Sequence, residues 1–416
     1  MKELTVMYRA FGASVVLGRL ADAGGEVLFQ YSSAAIALGL ELSPIRLPLR
    51  VAAYPDQQQH YMNLQRVPGL VSDSLPDSWG FGLMNRRMKA LGIDLSTVST
   101  LDRLAYLGEN TMGALTYVPC TDKATDGADL SLLALANEVQ ALLIDNSHAV
   151  LAEMARAGGS PGGARPKALV YLDPVSGQMS TRAGSVAGAE SWLIKFPASD
   201  DASDACALEA LYAQVADLSE MGMTATRFFD IGTGLTAFGT RRFDREGGQR
   251  VHVHSLAGLL HANFQIPSVS YDDFFRATRR LTRDQRALKK AVQRCVFNVL
   301  MNNRDDHAKN IAFLLDRDRQ WRLAPPFDLT FCPGYRGEHF MDIAGEGKAP
   351  TRAHIVVAAQ GAGLAAKDTE TIIDAVLARI TDKVFRTLAK ELPVRAATVN
   401  AVANMIEENR KRLTGG

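Results

Sequence analysis

The sequence is poor in cysteine, in net charge and in long apolar runs, and each shortage excludes a class of protein. Its four cysteines, Cys120, Cys206, Cys295 and Cys332, are widely spaced and form no CxxC pair. This spacing argues against a zinc ribbon or a disulfide framework and suits a reducing compartment. The net charge of +1 gives no electrostatic case for bulk binding to nucleic acid or to a membrane surface. No apolar run could span a bilayer and no signal peptide is evident, so we expect a soluble cytoplasmic protein.

The length and composition allow a globular protein of two or three domains or one two-lobed enzyme. The chain has 416 residues, of which 47% are hydrophobic, so it can bury a large core. Short β-rich segments occupy residues 4–31, and the pair Gly24-Gly25 between two of them predicts a hairpin turn. Helical patterns occupy residues 271–300. These patterns predict an α+β chain.

A glycine-rich run, GGSPGGARPK at residues 158–167, precedes a strand predicted from Ala168. Glycine permits backbone shapes that other residues resist, and successive N–H groups can then point into one concavity that binds an anion. A flexible surface loop would have the same composition. The GKS/T ending of a Walker loop is absent, so that class of nucleotide site is excluded.

A lysine, Lys195, lies within a short apolar strand predicted over residues 191–197. A buried ammonium group is costly unless it meets an anion. A strand lysine downstream of a glycine-rich loop is how protein kinases hold nucleotide phosphates. The alternative is an edge-strand lysine whose head reaches water. A helix predicted from Asp204 to Met221 carries Glu209, which could pair with Lys195, with Glu220 as a competitor.

A densely charged stretch, NRDDHAKN at residues 303–310, lies between an apolar helix and a strand-like run. Asp305 stands five residues before Asn310, which is the D-x4-N spacing of a kinase catalytic loop. Asp305 could accept the proton of an attacking hydroxyl, while we interpret the adjacent Asp306 as a bystander. Two short strands follow and predict a β-hairpin, whose antiparallel strands bring Asn310 beside Asp328. An amide oxygen and a carboxylate oxygen together suit Mg²⁺ shared with phosphate oxygens.

Two other patterns have simpler explanations than a functional site. His252, His254 and His261 suggest a metal site, but no Cys, Asp or Glu nearby in the sequence completes one, so we expect none. The basic stretch from Arg276 to Arg294 could face nucleic acid, but a solvated helix face is the simpler interpretation.

Taken in order, the motifs resemble those of the HipA-type serine/threonine kinases, the toxins of bacterial toxin–antitoxin modules. The resemblance spans nearly the whole chain and rests on residues 47–50 (LPLR), 73–80 (DSLPDSWG), 113–115 (GAL), 160–167, 242–245 (RFDR), 303–310 and 326–328 (PFD). It implies a two-lobed protein-kinase-like fold, related to the phosphoinositide kinases, with a β-rich N-terminal subdomain and a helical C-terminal lobe. The expected domains are an N-terminal α+β subdomain at residues 1–125, a small lobe with the ATP lysine at 126–243, and a helical large lobe with the catalytic loop at 244–416.

The same resemblance implies a role for each matching residue. Asp305 is expected to be the catalytic base, and Asn310 and Asp328 to bind Mg²⁺. The residues expected at ATP are Gly162, Gly163, Ala164, Arg165, Pro166, Lys167, Lys195, Arg241, Arg242, Phe243, His307, Lys309, Asn310 and Asp328, with residues 241–243 as the hinge beside the adenine. Ser160 matches the serine that family members autophosphorylate, which ejects the glycine-rich loop and switches the kinase off. A phosphate there adds about −2 charge beside the nucleotide phosphates.

The expected function is therefore that of an ATP- and Mg²⁺-dependent protein kinase toxin. Its expected target is a translation protein, such as an aminoacyl-tRNA synthetase. Its expected partner is a separate DNA-binding antitoxin resembling HipB, which would link the chain to DNA only indirectly. A small-molecule kinase and an inactive kinase-fold subunit of an antitoxin–DNA complex are the alternatives.

Overall fold

The computed structural model describes residues 1–55, 64–76, 78–121, 129–144, 154 and 165–415. The chain divides into two compact units. The first unit contains Met1–Asp201, Phe229–His254 and Gly258–His261, and the second contains Ala202–Phe228, Ser255–Ala257 and Ala262–Gly416.

The boundaries of these two units differ from those of the three expected domains. The helix Ala205–Leu218 belongs to the second unit, where the ring of Tyr212 packs edge-on against Phe297 at 6.5 Å. The strand Leu235–Arg241 belongs to the first unit because it pairs with the strand Glu190–Lys195. The boundary expected between residues 125 and 126 lies outside the described residues, and the three-domain division remains a prediction.

A four-stranded sheet in the first unit has the strand order β3-β2-β1-β4. Its strands are β1 (Glu3–Tyr8), β2 (Val15–Asp22), β3 (Val27–Tyr31) and β4 (Leu115–Val118). The predicted hairpin between β2 and β3 is confirmed, since Asp22 pairs with Val27 and both intervening glycines have positive φ. Leu4, Val6 and Tyr8 alternate along β1 and are buried, the pattern of a sheet with one covered face.

A five-stranded sheet has the strand order β6-β5-β7-β9-β8. Its strands are β5 (Lys167–Leu172), β6 (Met179–Ser180), β7 (Glu190–Lys195), β8 (Thr226–Gly232) and β9 (Leu235–Arg241). The helices before β5 are α1 (Ser33–Ala37), α2 (Gly69–Ser72), α3 (Ser78–Ala90), α4 (Thr100–Leu107) and α5 (Leu132–Ile144). Alternate residues of β5 and β7 share one apolar core with α5: Ala168, Val170, Leu172, Trp192 and Ile194 pack with Leu135, Val139 and Leu142. These three leucine and valine side chains therefore form the buried face of α5.

The second unit is mainly helical. The later helices of the chain are α6 (Ala205–Leu218), α7 (Leu256–Leu260), α8 (Tyr271–Thr282), α9 (Gln285–Leu300), α10 (Arg352–Gly361), α11 (Ala366–Arg379), α12 (Asp382–Leu388) and α13 (Ala396–Thr414). The helical pattern of residues 271–300 forms two helices, because Arg283 adopts a left-handed conformation and the side chain of Asp284 caps the N–H of Arg286. None of the described helices is long and apolar enough to cross a membrane.

The predicted hairpin after residue 310 is confirmed. The remaining strands are β10 (Arg245–Glu246), β11 (Gln249–Arg250), β12 (His252–Ser255), β13 (Ala312–Leu315) and β14 (Trp321–Leu323). The strands β13 and β14 are antiparallel, with Leu315 opposite Trp321. Asp316 stabilises the turn between them, since its carboxylate accepts the N–H groups of Asp318 and Gln320 at 3.0 and 2.8 Å.

In the first unit, the GAL motif of residues 113–115 and the RFDR motif of residues 242–245 meet at the carboxylate of Asp244. Arg242 donates two hydrogen bonds to it at 2.8 and 2.7 Å, and Arg245 donates one at 2.7 Å. The backbone N–H of Gly113 donates another at 2.8 Å. Gly113 has a φ of 68°, and a Cβ atom there would lie 3.3 Å from the backbone nitrogen of Val253. The turn before β4 therefore needs glycine to reach this carboxylate.

The charge of Asp244 is held by its guanidinium partners. Burial raises the pKa of the Asp244 carboxyl, but the charges of Arg242 and Arg245 outweigh burial and hold that pKa well below its ordinary value. The stabilisation that follows is present above the pKa of the unfolded chain, about pH 4, and is lost as the pH falls below it toward the folded value.

We expect Asp244→Asn to lower the free energy of unfolding by about 3–5 kcal/mol at neutral pH, because it leaves buried guanidinium groups without their anion. The variant should also lose part of the acid sensitivity of the wild type below about pH 4. Urea unfolding at a series of pH values measures both effects. Glu190→Gln breaks the exposed pair with Arg241 and is the control, with an expected cost of at most about 1 kcal/mol. Equal stability of Asp244→Asn and the wild type would contradict this account.

Candidate active site

The loop of residues 303–310 follows α9 and leads into β13, and it ends in a 3-10 turn, Ala308–Asn310. The side chain of Asp305 is 55% exposed, and its Oδ1 atom lies 3.9 Å from Nε2 of His307. An accessible carboxylate of this kind can accept a proton from an approaching hydroxyl.

The D-x4-N pair is joined by a hydrogen bond. The side-chain nitrogen Nδ2 of Asn310 donates to the backbone carbonyl of Asp305 at 3.0 Å. Because an amide donates through its nitrogen, the oxygen of Asn310 is the atom that can bind a cation. The structure therefore brings together two residues whose spacing predicted a common site.

The segment that carries Asp328 runs alongside this loop because both of its ends are hydrogen-bonded there. At one end, the N–H of Ala324 donates to the carbonyl of Ala312 at 2.9 Å. At the other, the N–H of Cys332 donates to the carbonyl of Asn302 at 3.1 Å, and Nδ2 of Asn302 donates back to the Cys332 carbonyl at 3.0 Å. Between these anchors, Asp328 has a φ of 57°, a left-handed conformation that aspartate tolerates better than most residues.

His307 and Lys309 pack against aromatic rings beside the loop. The ring of His307 lies 5.7 Å from the rings of both Phe264 and Phe340. The ammonium nitrogen of Lys309 lies 4.7 Å from the centre of the Phe264 ring, within the range of a cation–π contact. The Nδ1 atom of His307 is buried without a hydrogen-bond partner in the part of the chain that the structure describes. Both side chains are therefore held by contacts with aromatic rings of the protein itself.

Asp306, interpreted from the sequence as a bystander, is the structural anchor of the loop. Its carboxylate is fully buried and accepts three hydrogen bonds: from the hydroxyl of Tyr271 at 2.7 Å, from Nδ1 of His339 at 2.8 Å and from the N–H of Phe340 at 2.8 Å. The Tyr271 oxygen accepts in turn from Nδ2 of Asn298 at 2.9 Å. The sequence did not predict this structural role, because these partners lie 33 to 35 residues from Asp306 and no local pattern signals them.

In the first unit, Lys167 and Lys195 stand directly opposite each other on β5 and β7. Both are buried, with 1% and 7% of their surface exposed. Like charges at opposed positions repel each other, and buried ammonium groups call for negative charge nearby. Glu209 is also buried, and its pairing with Lys195 remains a prediction.

The arginines expected at the nucleotide have acidic partners of their own. Arg165 pairs with Asp201 at 2.9 Å, Arg241 with Glu190 at 3.0 Å, and Arg242 with Asp244 at 2.7 Å. Pro166 accepts a backbone hydrogen bond from Phe196 at 2.9 Å, and Phe243 is half-buried. Ser160, Gly162, Gly163 and Ala164 lie outside the described residues. A nucleotide contact through any of these guanidinium groups would compete with its carboxylate.

Asn310 and Asp328 remain the predicted ligands of a cation. Elsewhere in the described chain, no group of three His, Cys, Asp or Glu side chains is placed to hold a metal ion. A pair of protein oxygens fits Mg²⁺, because this ion keeps several waters and shares the oxygens of substrate phosphates. His254, one of the three histidines considered as a metal site from the sequence, has both ring nitrogens hydrogen-bonded, to Asp73 at 2.6 Å and to Ser43 at 2.9 Å.

A β-rich first unit, a helical second unit and the order of loop, hairpin and aspartate define a kinase-like fold. The model of the HipA-like C-terminal domain matches residues 159–384, and that of the HipA N-terminal domain matches residues 9–118. The first match alone covers more than half of the chain. The chain therefore belongs to the HipA family.

Among solved structures, the chain is similar to HipA of Shewanella oneidensis MR-1, solved with HipB and its operator DNA. The TM-score is 0.73 at 18% identity, over 99% of this chain and 97% of that one. The Helicobacter pylori proinflammatory kinase CtkA gives a TM-score of 0.41 at 13% identity, over 55% of this chain and 89% of that one. No curated protein sequence matches the chain. At these identities the first similarity shows the fold, and the second adds no argument.

We expect Asp328→Asn to weaken Mg²⁺-dependent ATP binding at least about tenfold, or about 1.4 kcal/mol, because it removes the charged oxygen of the cation site. Asparagine tolerates the left-handed backbone, so the substitution tests the charge rather than the conformation. Calorimetric titration with ATP in the presence and absence of Mg²⁺ gives the measurement. The matched control is Asp318→Asn in the exposed turn of the hairpin, which should bind ATP as the wild type does. Unchanged affinity of Asp328→Asn in Mg²⁺ would remove Asp328 from the site.

Proposed function

We propose that this HipA-family chain is an ATP- and Mg²⁺-dependent serine/threonine protein kinase and the toxin of a toxin–antitoxin module. The observation that carries the proposal is the hydrogen bond by which Asn310 closes the loop onto Asp305. The stretch that carries Asp328 is hydrogen-bonded at its two ends, to Ala312 and to Asn302. In the proposal, Asp305 supplies an exposed base, Asn310 a neutral oxygen and Asp328 a charged oxygen. This is the set of groups that phosphoryl transfer requires.

In the proposed reaction, the hydroxyl oxygen of a serine or threonine forms a bond to the γ-phosphorus of ATP. The bond from that phosphorus to the bridging oxygen breaks, and ADP leaves with its electron pair. The hydroxyl proton passes to the carboxylate of Asp305. Asn310 and Asp328 hold Mg²⁺, which neutralises charge on the phosphates when it is bound. His307 and Lys309 add a hydrogen-bond donor and a positive charge from the same loop.

The proposal also assigns the phosphates of ATP to the glycine-rich run and to the strand lysine. Support comes from the two buried lysines, Lys167 and Lys195, which oppose each other where the run of residues 158–167 ends. Residues 162–167 would lie on the nucleotide, and residues 241–243 beside the adenine. Since the guanidinium groups of Arg241 and Arg242 are paired with carboxylates, we expect the backbone of this hinge to make the contact. Ser160 is the proposed site of autophosphorylation.

A separate antitoxin resembling HipB is the proposed partner. The solved complex of the Shewanella protein contains HipA, HipB and operator DNA, and the fold similarity extends over nearly the whole of both chains. The net charge of +1 supports contact with DNA through the partner rather than by the bulk surface of this chain. The proposed protein substrate belongs to the translation machinery, as in the family that the sequence resembles.

Incubation of the purified chain with γ-labelled ATP and Mg²⁺ should transfer label to Ser160, located by mass spectrometry of the labelled peptides. Asp305→Asn should lower the rate of transfer by about 10²–10⁴-fold, because the amide cannot accept the hydroxyl proton. Asp318→Asn makes the same chemical change on the exposed hairpin turn and should transfer label at the wild-type rate.

The outcomes separate the candidate functions. Persistence of the wild-type rate in Asp305→Asn would remove Asp305 as the base. A wild type that binds ATP but transfers no label to itself or to a protein from a host lysate would favour the inactive subunit. Label on a small molecule alone would favour the small-molecule kinase.

A further inference from the structure

Residues 331–349, which follow the segment of Asp328, contain no serine or threonine, and their one side-chain hydroxyl belongs to Tyr335. We call these residues the anchored segment. In many protein kinases the stretch that follows the metal-binding aspartate is ordered by phosphorylation, through a new pair between an arginine and the phosphate. The anchored segment itself has no serine or threonine on which such a phosphate could be placed, and the nearest ones, Thr330 and Thr351, lie just outside its two ends.

The first anchor of this segment is Arg304, the residue before the candidate base. Its side chain is buried and its Nη1 atom donates to the carbonyls of Pro333, at 3.4 Å, and Gly337. Its Nη2 atom donates to the carbonyl of Lys348 at 3.3 Å. One guanidinium therefore joins both ends of the segment, and its Nη1 and Nη2 atoms donate to neutral carbonyls rather than to a phosphate.

The backbone that presents these carbonyls depends on glycine. Gly334 and Gly337 have φ values of 71° and 75°. A Cβ atom at Gly334 would lie 2.1 Å from the carbonyl oxygen of Glu338 and 2.9 Å from Cβ of Arg304, closer than atoms can approach. The turn is thus shaped to fit against Arg304.

The second anchor is Asp306, the residue after the candidate base. It binds the segment at two consecutive residues, since it accepts from the ring of His339 and from the backbone of Phe340. The N–H of Phe340 also approaches the carbonyl of Arg304 at 3.3 Å. Asp305 is therefore flanked on both sides by residues whose side chains are committed to the anchored segment.

We propose that Arg304 and Asp306 are positioning residues, which hold residues 331–349 against the loop and so fix the backbone of Asp305 without any phosphate on that segment. The inference rests on the proposed kinase function and adds its mode of control. The loop and the segment order each other through contacts within the chain. The geometry around Asp305 therefore forms without an activating modification.

Hydrogen–deuterium exchange of the full-length chain tests the physical coupling without requiring activity. In Asp306→Asn, we expect peptides that cover residues 338–349 to exchange at least about tenfold faster, because the amide presents an N–H₂ to groups that donate. In Arg304→Lys, which keeps the charge but loses the planar fork, the faster exchange should fall on residues 332–338. Tyr271→Phe removes one donor to Asp306 and keeps the ring, and it should give a smaller increase over residues 338–349.

Asp204→Asn is the matched control for exchange. Asp204 is also buried in the second unit, where its carboxylate pairs with the side chain of Arg395 and accepts a hydrogen bond from the backbone N–H of Arg395, both at 3.0 Å. Arg395 lies outside both the loop and the anchored segment. Its substitution should leave the relative exchange of residues 331–349 unchanged. Exchange in Arg304→Lys and Asp306→Asn that matches the wild type, or that rises evenly over the second unit, would overturn the proposal.

Kinetics of phosphoryl transfer, measured well below the unfolding temperature, test the positioning role. Arg304→Lys and Asp306→Asn should lower kcat at least about tenfold while the Kd for Mg²⁺-ATP stays within about threefold, because the base is displaced but the nucleotide contacts are kept. Tyr335→Phe should keep the wild-type kcat.

Each kinetic result has one meaning. An unchanged kcat in both anchor variants, or a loss of kcat in Tyr335→Phe, would overturn the proposal. If the wild type transfers no phosphate, the proposed function fails, and the exchange measurements still decide whether Arg304 and Asp306 hold the segment.

Discussion

The buried carboxylate of Asp306 is the interaction on which the candidate site in the second unit depends. A buried carboxylate without partners is costly, so its donors must be in place when this unit folds. One donor comes from Tyr271 at the start of α8, and two come from His339 and Phe340, beyond the hairpin. The loop therefore cannot reach its final shape before these parts meet. Once formed, it cannot shift at Asp306 without leaving buried groups unpaired.

Asp244 has an equivalent place in the first unit. It too is buried, and it accepts hydrogen bonds from Gly113 and from the two arginines of the RFDR motif. The two carboxylates differ in how their charge is balanced. Asp244 is matched by two guanidinium groups, whereas Asp306 relies on a hydroxyl, a backbone N–H and an imidazole. In the first arrangement, opposite charges balance the buried carboxylate. In the second, burial of the carboxylate depends on the correct placement of three separate groups.

Local patterns predicted those parts of the site whose residues are close in the sequence. The hairpin of β13 and β14 and the contact between Asp305 and Asn310 belong to this class. The importance of Asp306 could not be predicted, because partners more than 30 residues away supply it. The position of Lys167 opposite Lys195 could not be predicted either, because the register of β5 and β7 decides it. A shift of one residue would place the two side chains on opposite faces of the sheet.

Adjacent carboxylates in opposite environments divide the work of the loop. If Asp305 and Asp306 both faced a bound nucleotide, two negative charges would repel its phosphates. Burial of Asp306 among hydrogen-bond donors keeps one of these two negative charges away from the nucleotide. The same contacts hold the neighbouring Asp305 in place. A switch on the anchored segment would have to break those buried contacts. A phosphate on Ser160, which we propose as the site of control, would add negative charge at the glycine-rich run while leaving these contacts intact. A loop that is held by buried contacts therefore favours control at a site outside the loop.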